Sequence, residues 1–361
     1  MLIFDGHLDL ALNAVQNGRD LLLDAHTTRT LEVGMTGMGK AQGTVALPDM
    51  RRGRVALCFT TVCARCSGRS GSNTDFATPA QAYAAARGQL GYYRALEQQG
   101  YVRVIMGRED LDAHLGEWHR WENETDRDSV ATPPLGLIVI MESADPVLRP
   151  EQVEEWWEAG LRVIGPAHFG PGRYAGGTGC NLGLTDVGPA LLKEMERCEV
   201  LLDLSHLSDE AFWQCFDHYG GPLLATHANC RELVPQQRAF DDTQLRAILE
   251  RDGVIGVTLG NWQLTFGWMV GGKNDGMQVK LARAVDHIDH ICQLAGDGKH
   301  VAIGSDLDGG CGKDEFPDEV DTIADLQLIE SRLAARGYDN AAIADILHNN
   351  WVELLRRCWG K

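Results

Sequence analysis

Histidines and carboxylates recur in this sequence directly after short apolar segments, and both residue types are common metal ligands. His7 and Asp9 follow the first such segment, Glu142 follows another, and His206 and His227 follow two more. In His7-x-Asp9 the two side chains point to the same face of an extended segment, because strand side chains repeat every two residues. This spacing suits two ligands of one ion. Imidazole and carboxylate together favour zinc, with iron, manganese or cobalt as substitutes.

The number of these candidate ligands exceeds the need of a single catalytic ion. An open zinc site uses about three protein ligands, whereas this set can hold two ions about 3.5–4 Å apart that share a carboxylate. His168 and Asp306 also follow apolar segments, and each adds a candidate ligand or acid–base group. Each residue alone has an ordinary role, such as hydrogen bonding in a loop or turn. The joint pattern predicts a site with two divalent metal ions.

Short apolar segments rich in Val, Ile and Leu must position these side chains, and we predict them to be parallel strands because they lack polar alternation. The predicted strands are Leu2–Phe4, Val55–Thr61, Leu137–Met141, Leu161–Ile164, Val200–Leu204, Leu223–Thr226, Val254–Leu259 and Val301–Gly304. Helical segments lie between most of them, including Gly188–Cys198, Asp209–Tyr219, Asp242–Asp252 and Lys280–Ala295. This alternation predicts an α/β protein with a (β/α)8 TIM-type barrel. Catalytic groups of such barrels collect at the C-terminal strand ends, where the polar residues above follow the strands.

Two regions exceed a minimal barrel. The segment from Cys63 to Pro134 is too long for one crossover, so we predict an insertion after strand 2 with a helix at Pro79–Gln99. Extra C-terminal helices are predicted at Asp321–Arg336 and Asn340–Trp359. Barrels commonly fill this length as one unit, so we expect a single domain over residues 1–361.

Composition excludes several kinds of partner. The formal net charge of −18 arises from 51 acidic and 33 basic residues, which form no basic stripe for nucleic acid. Neither a signal peptide nor an apolar run of about 18 residues is visible, so we expect no membrane partner and a cytoplasmic location.

The ten cysteines are scattered, and we interpret them as thiols. The oligomeric state stays open, a homo-oligomer included.

Several short motifs, in their order and spacing, resemble the membrane (renal) dipeptidases, peptidase family M19. The resemblance covers nearly the whole chain. The motifs are Asp5-Gly-His-Leu-Asp-Leu10, Leu202-Asp-Leu-Ser-His206, Thr226-His227, Arg238 with Asp241-Asp242, His287-Ile-Asp-His-Ile291 and Gly304-Ser-Asp-Leu-Asp-Gly309. The resemblance implies a metal-dependent amidohydrolase-like barrel that hydrolyses small dipeptides, including dipeptides with a C-terminal D-residue. It also implies a set of metal ligands: His7 and Asp9 hold one zinc ion, His206 and His227 hold the other, and Glu142 bridges them.

The resemblance further implies three catalytic or binding residues. His168 corresponds to the family's oxyanion-binding histidine, Asp306 to its catalytic aspartate, and Arg238 to the arginine that binds the substrate carboxylate. In the expected mechanism, both ions lower the pKa of a bridging water, and the hydroxide that forms attacks the peptide carbonyl. His168 stabilises the resulting oxyanion, and Asp306 takes the proton of the water and returns it to the leaving amine.

Substrate preference is open, because the sequence departs from the usual family pattern beside the ligands, at Ser143, Ala228-Asn229 and Ala239. Two alternatives therefore stand beside the dipeptidase. One is a metal-dependent amidohydrolase of other small amides, N-acyl amino acids or lactones. The other is a non-catalytic metal-binding barrel, which the presence of both Asp306 and His168 disfavours.

Two further features receive structural predictions. His287 and His290 share one helix face, and we interpret them as packing or capping residues because the strand-end set already completes two metal sites. The glycine-rich stretch 170–183 is predicted to be a loop over the pocket, with Arg173 and Tyr174 facing substrate.

Overall fold

The computed structural model describes residues 1–37, 39–68, 74–125, 130–274 and 276–360. Within these ranges the chain forms parallel strands whose residues are almost entirely buried. The strands are β1 Ile3–Leu8, β2 Val55–Cys63, β3 Val102–Val104, β4 Leu135–Glu142, β5 Leu161–Gly165, β6 Leu201–Asp203, β7 Leu223–Leu224, β8 Ile255–Val257 and β9 Val301–Ile303.

The strands form a curled parallel sheet. Strands β1, β2, β4, β5, β6 and β7 pair in that order, β3 pairs with the start of β4, and β8 pairs with β9. The two sheets are linked where Gly256 N–H donates to Ala225 O at 2.8 Å. Past the end of β9, Asp306 N–H donates to His7 O at 3.3 Å, which brings the last strand beside the first. The α/β class is confirmed, and closure into a full (β/α)8 barrel stays a prediction, since β9 and β1 form no ladder in the described ranges.

Helices separate most of the strands and extend the C-terminus. The α-helices are α1 Ala25–Leu31, α2 Leu47–Arg52, α3 Pro79–Gln98, α4 Arg108–Glu122, α5 Val153–Glu158, α6 Gly188–Arg197, α7 Asp209–His218, α8 Asp242–Glu250, α9 Asn261–Leu264, α10 Ala282–Ala295, α11 Leu328–Arg336, α12 Asn340–Ala344 and α13 Asn350–Cys358. Short π-helices span Leu12–Gln16 and Asp345–Asn349, and 3-10 turns span Pro150–Gln152, Lys313–Glu315 and Ile323–Gln327.

Local sequence explains where several helices begin. Thr78 and Gln81 form a capping box at the start of α3, with Pro79 in the first turn. Asp241 and Gln244 form the corresponding box at the start of α8. In each box the side chains satisfy backbone N–H groups that have no partner within the helix.

Aromatic rings fill the interior of the curled sheet. Phe59 packs against Phe4 and Trp351, with ring centroids 5.0 and 5.2 Å apart, respectively. Trp351 comes from α13, and its Nε1–H donates to Ile303 O at 3.0 Å. A Cβ atom on Gly6 would lie 2.8 Å from the Trp351 ring, so this position has no room for a side chain. The C-terminal helix thus packs into the core of the sheet whose strands end at the polar residues named above.

Every predicted strand overlaps an observed one, and the main difference lies in the predicted insertion. There, α3 matches the predicted helix, but the chain also forms β3 and α4, which we did not predict. The short strand β3 has Arg103 between two valines, a pattern too brief to identify a strand. It extends the sheet beside the first residues of β4.

The ten cysteines are free thiols, as predicted. None of the helices in the described ranges combines the length and apolar character that a bilayer crossing requires.

Candidate active site

The candidate ligands lie at the C-terminal ends of the strands. His7 lies within β1, Asp9 follows its last residue, and Glu142 is the last residue of β4. His206 and His227 come three positions after the ends of β6 at 203 and β7 at 224. All five side chains are buried. Parallel strands end on one side of a sheet, so residues distant in sequence meet there.

His168 and Asp306 follow the same rule, three positions after the ends of β5 at 165 and β9 at 303. The equivalent position after β8, which ends at 257, is Gly260, which lines the same cavity without a side chain. Sequence position relative to the strand end therefore accounts for much of the site.

Histidine nitrogens converge on one carboxylate oxygen. Distances to Glu142 Oε1 are 3.1 Å from His206 Nε2, 3.5 Å from His7 Nε2, 3.5 Å from His227 Nε2 and 3.6 Å from His168 Nε2. The Nε2 atoms of His206 and His227 are 2.9 Å apart. Burial lowers the pKa of each of these histidines, that of His7 to about 3. The rings are therefore neutral, which is the protonation state that metal binding requires.

One hydroxyl orients two of these imidazoles. Thr226 Oγ1 lies 2.6 Å from Asp203 Oδ2, 2.8 Å from His227 Nδ1 and 3.2 Å from His7 Nδ1. Because Asp203 accepts the hydroxyl proton, we assign Nδ1–H to both histidines as donors to the Thr226 oxygen. Each Nε2 then presents its lone pair to the centre of the site, as a metal ligand must.

His206 is held by the glycine-rich stretch 170–183. Thr178 Oγ1 lies 3.2 Å from His206 Nδ1 and donates to His206 O at 3.1 Å. Phe169, next to this loop, lines the cavity. The loop therefore orients one candidate ligand, and the residue before it forms part of the cavity wall.

The predicted roles of two loop residues were wrong. Tyr174 is fully buried, and its hydroxyl donates to Val147 O at 2.7 Å. Arg173 Nη2 donates to Leu148 O at 3.0 Å, and neither side chain lines the cavity. Both residues anchor the base of the loop instead of facing substrate.

Three carboxylates face this cluster without a cationic partner close enough to form an ion pair in the described ranges. Burial raises the pKa of Asp9 to about 6, while Thr61 donates to its carboxylate. Burial, with added repulsion from Asp9, also raises the pKa of Glu142 and of Asp306. Concentrated negative charge of this kind is costly unless cations neutralise it.

The donor set fits metal ions. Ligand atoms of His7, Glu142 and His227 lie within 4.8 Å of one another, and so do those of His7, Asp9 and Asp306. His7 Nε2 is buried and has no hydrogen-bond partner among the described residues. Nitrogen and oxygen donors in two overlapping groups, with His7 common to both, suit a pair of neighbouring divalent cations.

Several site residues have an unusual, left-handed backbone conformation. Ser143, His206 and Asp306 have φ values of 77°, 64° and 58°, a left-handed conformation that costs non-glycine residues on the order of 1 kcal/mol. Buried hydrogen bonds hold the turn before Asp306, where Asp5 accepts from the Ser305 backbone N–H at 2.8 Å. The surrounding structure therefore maintains strained residues at the candidate site.

Arg238 is buried beside the cluster and does not line the cavity. Its Nη2 donates to His227 O at 2.7 Å, whereas Nε and Nη1 are buried without a partner among the described residues. Unsatisfied buried donors are expensive, so they indicate a position prepared for an acceptor.

The cavity above the cluster has a volume of about 480 Å³. It is lined by Asp9, Leu12, Cys63, Arg65, Thr74, Glu142, His168, Phe169, His206, Gly260, Trp262, Gln263, Val270, Asp306, Gly309, Gly310, Cys311 and Phe316. We did not identify Cys63, Arg65 or Gln263 from the sequence. Cys63 ends β2 and its Sγ lies within 4.8 Å of ligand atoms of Glu142 and His168, so the strand-end rule would have found it.

His287 and His290 have structural roles, as predicted. His287 Nδ1 accepts the Cys230 backbone N–H at 3.1 Å. His290 Nε2 lies 2.7 Å from Asp242 Oδ1 at the start of α8.

Comparisons with known proteins identify the family of this chain. A family model described as membrane dipeptidase (peptidase family M19) matches residues 1–358. An uncharacterized Klebsiella pneumoniae protein from the pqqA 5′ region is 36% identical over 215 residues, which are 57% of this chain and 76% of that protein. Mouse Dipeptidase 3 is 25% identical over 175 residues, 48% of this chain and 33% of that protein.

Solved structures of similar fold cover almost the full length. The dipeptidase AC, a metallopeptidase of family M19, has a TM-score of 0.77 at 25% identity and covers 100% of this chain and 99% of its own. A Rhodobacter sphaeroides metallopeptidase, liganded with a phosphinate mimic of the dipeptide L-Ala-D-Ala, has a TM-score of 0.77 at 24% identity, with 99% of each chain covered.

Proposed function

The chain belongs to the membrane dipeptidase family, the metallopeptidase family M19, and we propose that it hydrolyses small dipeptides with two divalent metal ions, zinc being the expected metal. The observation that carries the proposal is the convergence of histidine Nε2 atoms on Glu142 Oε1, the nearest at 3.1 Å. Neutral buried imidazoles and carboxylates that form no ion pair with a Lys or Arg of the described residues make one cluster here, beneath a cavity of about 480 Å³. We also propose that the curled sheet is a complete (β/α)8 barrel.

We assign the ligands as the family resemblance implies: His7 and Asp9 to one ion, His206 and His227 to the other, and Glu142 to both. Such ions, when bound, supply a nucleophilic water at neutral pH and neutralise charge that develops on the substrate carbonyl. The remaining steps belong to the protein's own side chains.

Arg238 positions the substrate. Its buried Nε and Nη1 are the donors that the substrate α-carboxylate would satisfy, and a guanidinium binds a carboxylate through two parallel hydrogen bonds. Fixing this end of the dipeptide places the scissile carbonyl over the cluster. Orientation of this kind lowers the barrier without any new chemical group.

His168 and Asp306 act on the reacting atoms. His168 Nε2, 3.6 Å from Glu142 Oε1, lies at the edge of the cluster, where it would donate to the developing oxyanion. One such donor contributes about 3 kcal/mol in comparable sites. Asp306 lines the cavity, and its carboxylate would take the proton of the attacking water and return it to the leaving amine.

We extend the substrate range to dipeptides with a C-terminal D-residue. The Rhodobacter sphaeroides structure contains a mimic of L-Ala-D-Ala, and Gly260 leaves part of the cavity wall without a side chain in this chain. A wall without a side chain at that position favours tolerance of either configuration.

The test measures how fast the metal-loaded protein hydrolyses substrates of different classes. We expect hydrolysis of free dipeptides and a kcat/KM at least about tenfold lower for their C-terminal amides, because an amide cannot form the ion pair with Arg238. Hydrolysis of N-acyl amino acids or lactones without dipeptide hydrolysis would favour the amidohydrolase alternative. Metal binding with no hydrolysis of any of these compounds would favour a non-catalytic metal-binding barrel.

A further inference from the structure

Arg65 is the only lysine or arginine among the described residues that line the cavity. It follows the end of β2 at Cys63 by two positions, so it belongs to the rim that carries the candidate ligands. Its side chain is 22% exposed, whereas Arg238 is buried and lies outside the lining. Arg65 therefore offers its guanidinium from the cavity wall, whereas Arg238 offers two buried donors without a partner among the described residues, Nε and Nη1.

Neighbouring residues hold Arg65 in a defined position. Its Nη2 donates to Asp75 Oδ2 at 2.7 Å, and its backbone N–H donates to Thr74 O at 2.7 Å. Asp75 is fixed in turn, since its Oδ1 accepts the Ser67 N–H at 2.9 Å. A guanidinium has five N–H donors. Asp75 is the one carboxylate that contacts Arg65 within the described ranges, so donors remain for a ligand in the cavity.

The charges of both arginines act on the histidine cluster. Burial is the largest cause that lowers the pKa of His168, and Arg65 and then Arg238 lower it further. Burial and then Arg238 lower the pKa of His7 and that of His206.

We propose that Arg65 forms a subsite for a second carboxylate, so that the enzyme prefers dipeptides with an Asp or Glu side chain. This inference rests on the proposed dipeptidase function. An acidic dipeptide offers its α-carboxylate to Arg238 and its side-chain carboxylate to Arg65. Much of the remaining wall is apolar, with Phe169, Trp262 and Phe316, and offers no competing cation in the described ranges. A planar guanidinium pairs with a carboxylate with defined geometry, which gives selectivity over an amide of the same shape.

The experiment uses isosteric substrate pairs with the metal-loaded enzyme: Ala-Glu against Ala-Gln, and Glu-Ala against Gln-Ala. The readout is the ratio of kcat/KM for the acid to that for the amide. In the wild type we expect a ratio of at least about ten in one pair, since a hydrogen bond to a charged group is worth this much or more. Arg65→Gln and Arg65→Met, two uncharged replacements, should bring that ratio close to one, and Arg65→Lys should retain part of it.

Arg356→Gln is the matched control, because Arg356 pairs with Asp112 at 2.7 Å on the outer helix α13, away from the cavity lining. Its ratio should equal that of the wild type. A wild-type ratio of one or less in both pairs overturns the subsite, and so does an unchanged ratio in either uncharged variant. Failure of the proposed function looks different, because the wild type would then hydrolyse none of these dipeptides.

Discussion

Two aspartates of one loop, Asp306 and Asp308, have different environments because the backbone turns between them. Their φ values are 58° and 61°. Asp306 lines the cavity, whereas Asp308 is buried outside it and accepts from Thr44 Oγ1 at 2.8 Å and from Arg19 Nη1 at 3.1 Å. Asp308 therefore fixes the loop, and a change there would alter stability as well as the site.

Asp306→Asn separates proton transfer from metal assembly. Asparagine tolerates left-handed backbone better than most residues, so the loop should keep its conformation. If Asp306 transfers the proton, kcat should fall at least about 100-fold while both metals stay bound, since general acid–base groups contribute on this scale. KM should change much less. Steady-state kinetics with elemental analysis of the same sample would measure both quantities.

Two other results would change the assignment of Asp306. Near-normal turnover with metals bound would remove the proton-transfer role. Loss of metal would make Asp306 a ligand, which its position within 4.8 Å of the ligand atoms of His7 and Asp9 permits.

Position after a strand identified most of the site residues from sequence, because burial and strand direction alone bring such residues together. His168, His206, His227 and Asp306 all follow this rule. Arg238 lies in a long loop, where no periodicity places it, and only the family resemblance pointed to it. The hydroxyl of Thr226 was not predictable as an orienting group, since threonine at a strand end is ordinary.

The segments that follow β6 and β7 share a hydrogen-bond network centred on Thr226. Thr226→Val keeps the side-chain shape but removes the hydroxyl that contacts His7 Nδ1, His227 Nδ1 and Asp203. We expect metal affinity to fall about 10- to 100-fold, the usual effect of losing a group that orients a ligand. Competition with a chromogenic chelator would measure the affinity.

Thr226→Ser is the matched control, because it retains the hydroxyl and should bind metal more tightly than Thr226→Val. Equal affinities in the two variants would show that the hydroxyl does not orient the ligands.

How well a strand could be predicted from the sequence depended on its length and on the clarity of its hydrophobic pattern. Continuous apolar runs identified β2 and β4, which are buried on both faces. Strand β1 extends to Leu8, past the predicted end at Phe4, because pairing with β2 outweighs the polar character of Asp5 and His7. Tertiary pairing also creates β3, whose three residues carry too little local signal.

Buried histidines outside the cavity make the stability of the folded protein depend on pH. His114 Nε2 donates to Ala56 O at 2.9 Å, and His287 accepts a backbone N–H. Burial lowers the pKa of each to about 4, whereas the unfolded value is about 6.5. Between these values the unfolded chain binds protons that the folded chain does not. Stability from these groups is therefore complete above about pH 6.5 and decreases toward pH 4.

His114→Gln tests this linkage, because glutamine can still donate to Ala56 O but does not titrate. Between about pH 6.5 and 4, the unfolding free energy should fall less steeply in the variant, by about 1.4 kcal/mol per pH unit. Urea unfolding in the presence of a chelator would measure both slopes, with the ligand histidines contributing equally to each. Equal slopes would contradict the assignment.

The most direct test of the two-metal dipeptidase is a titration of the metal-free protein with Zn²⁺, followed by the hydrolysis rate of a free dipeptide. Five candidate ligands with Glu142 shared predict that activity reaches its maximum at two equivalents of zinc per chain. Full activity at one equivalent would contradict the shared site, and absence of dipeptide hydrolysis at every zinc level would contradict the proposed function.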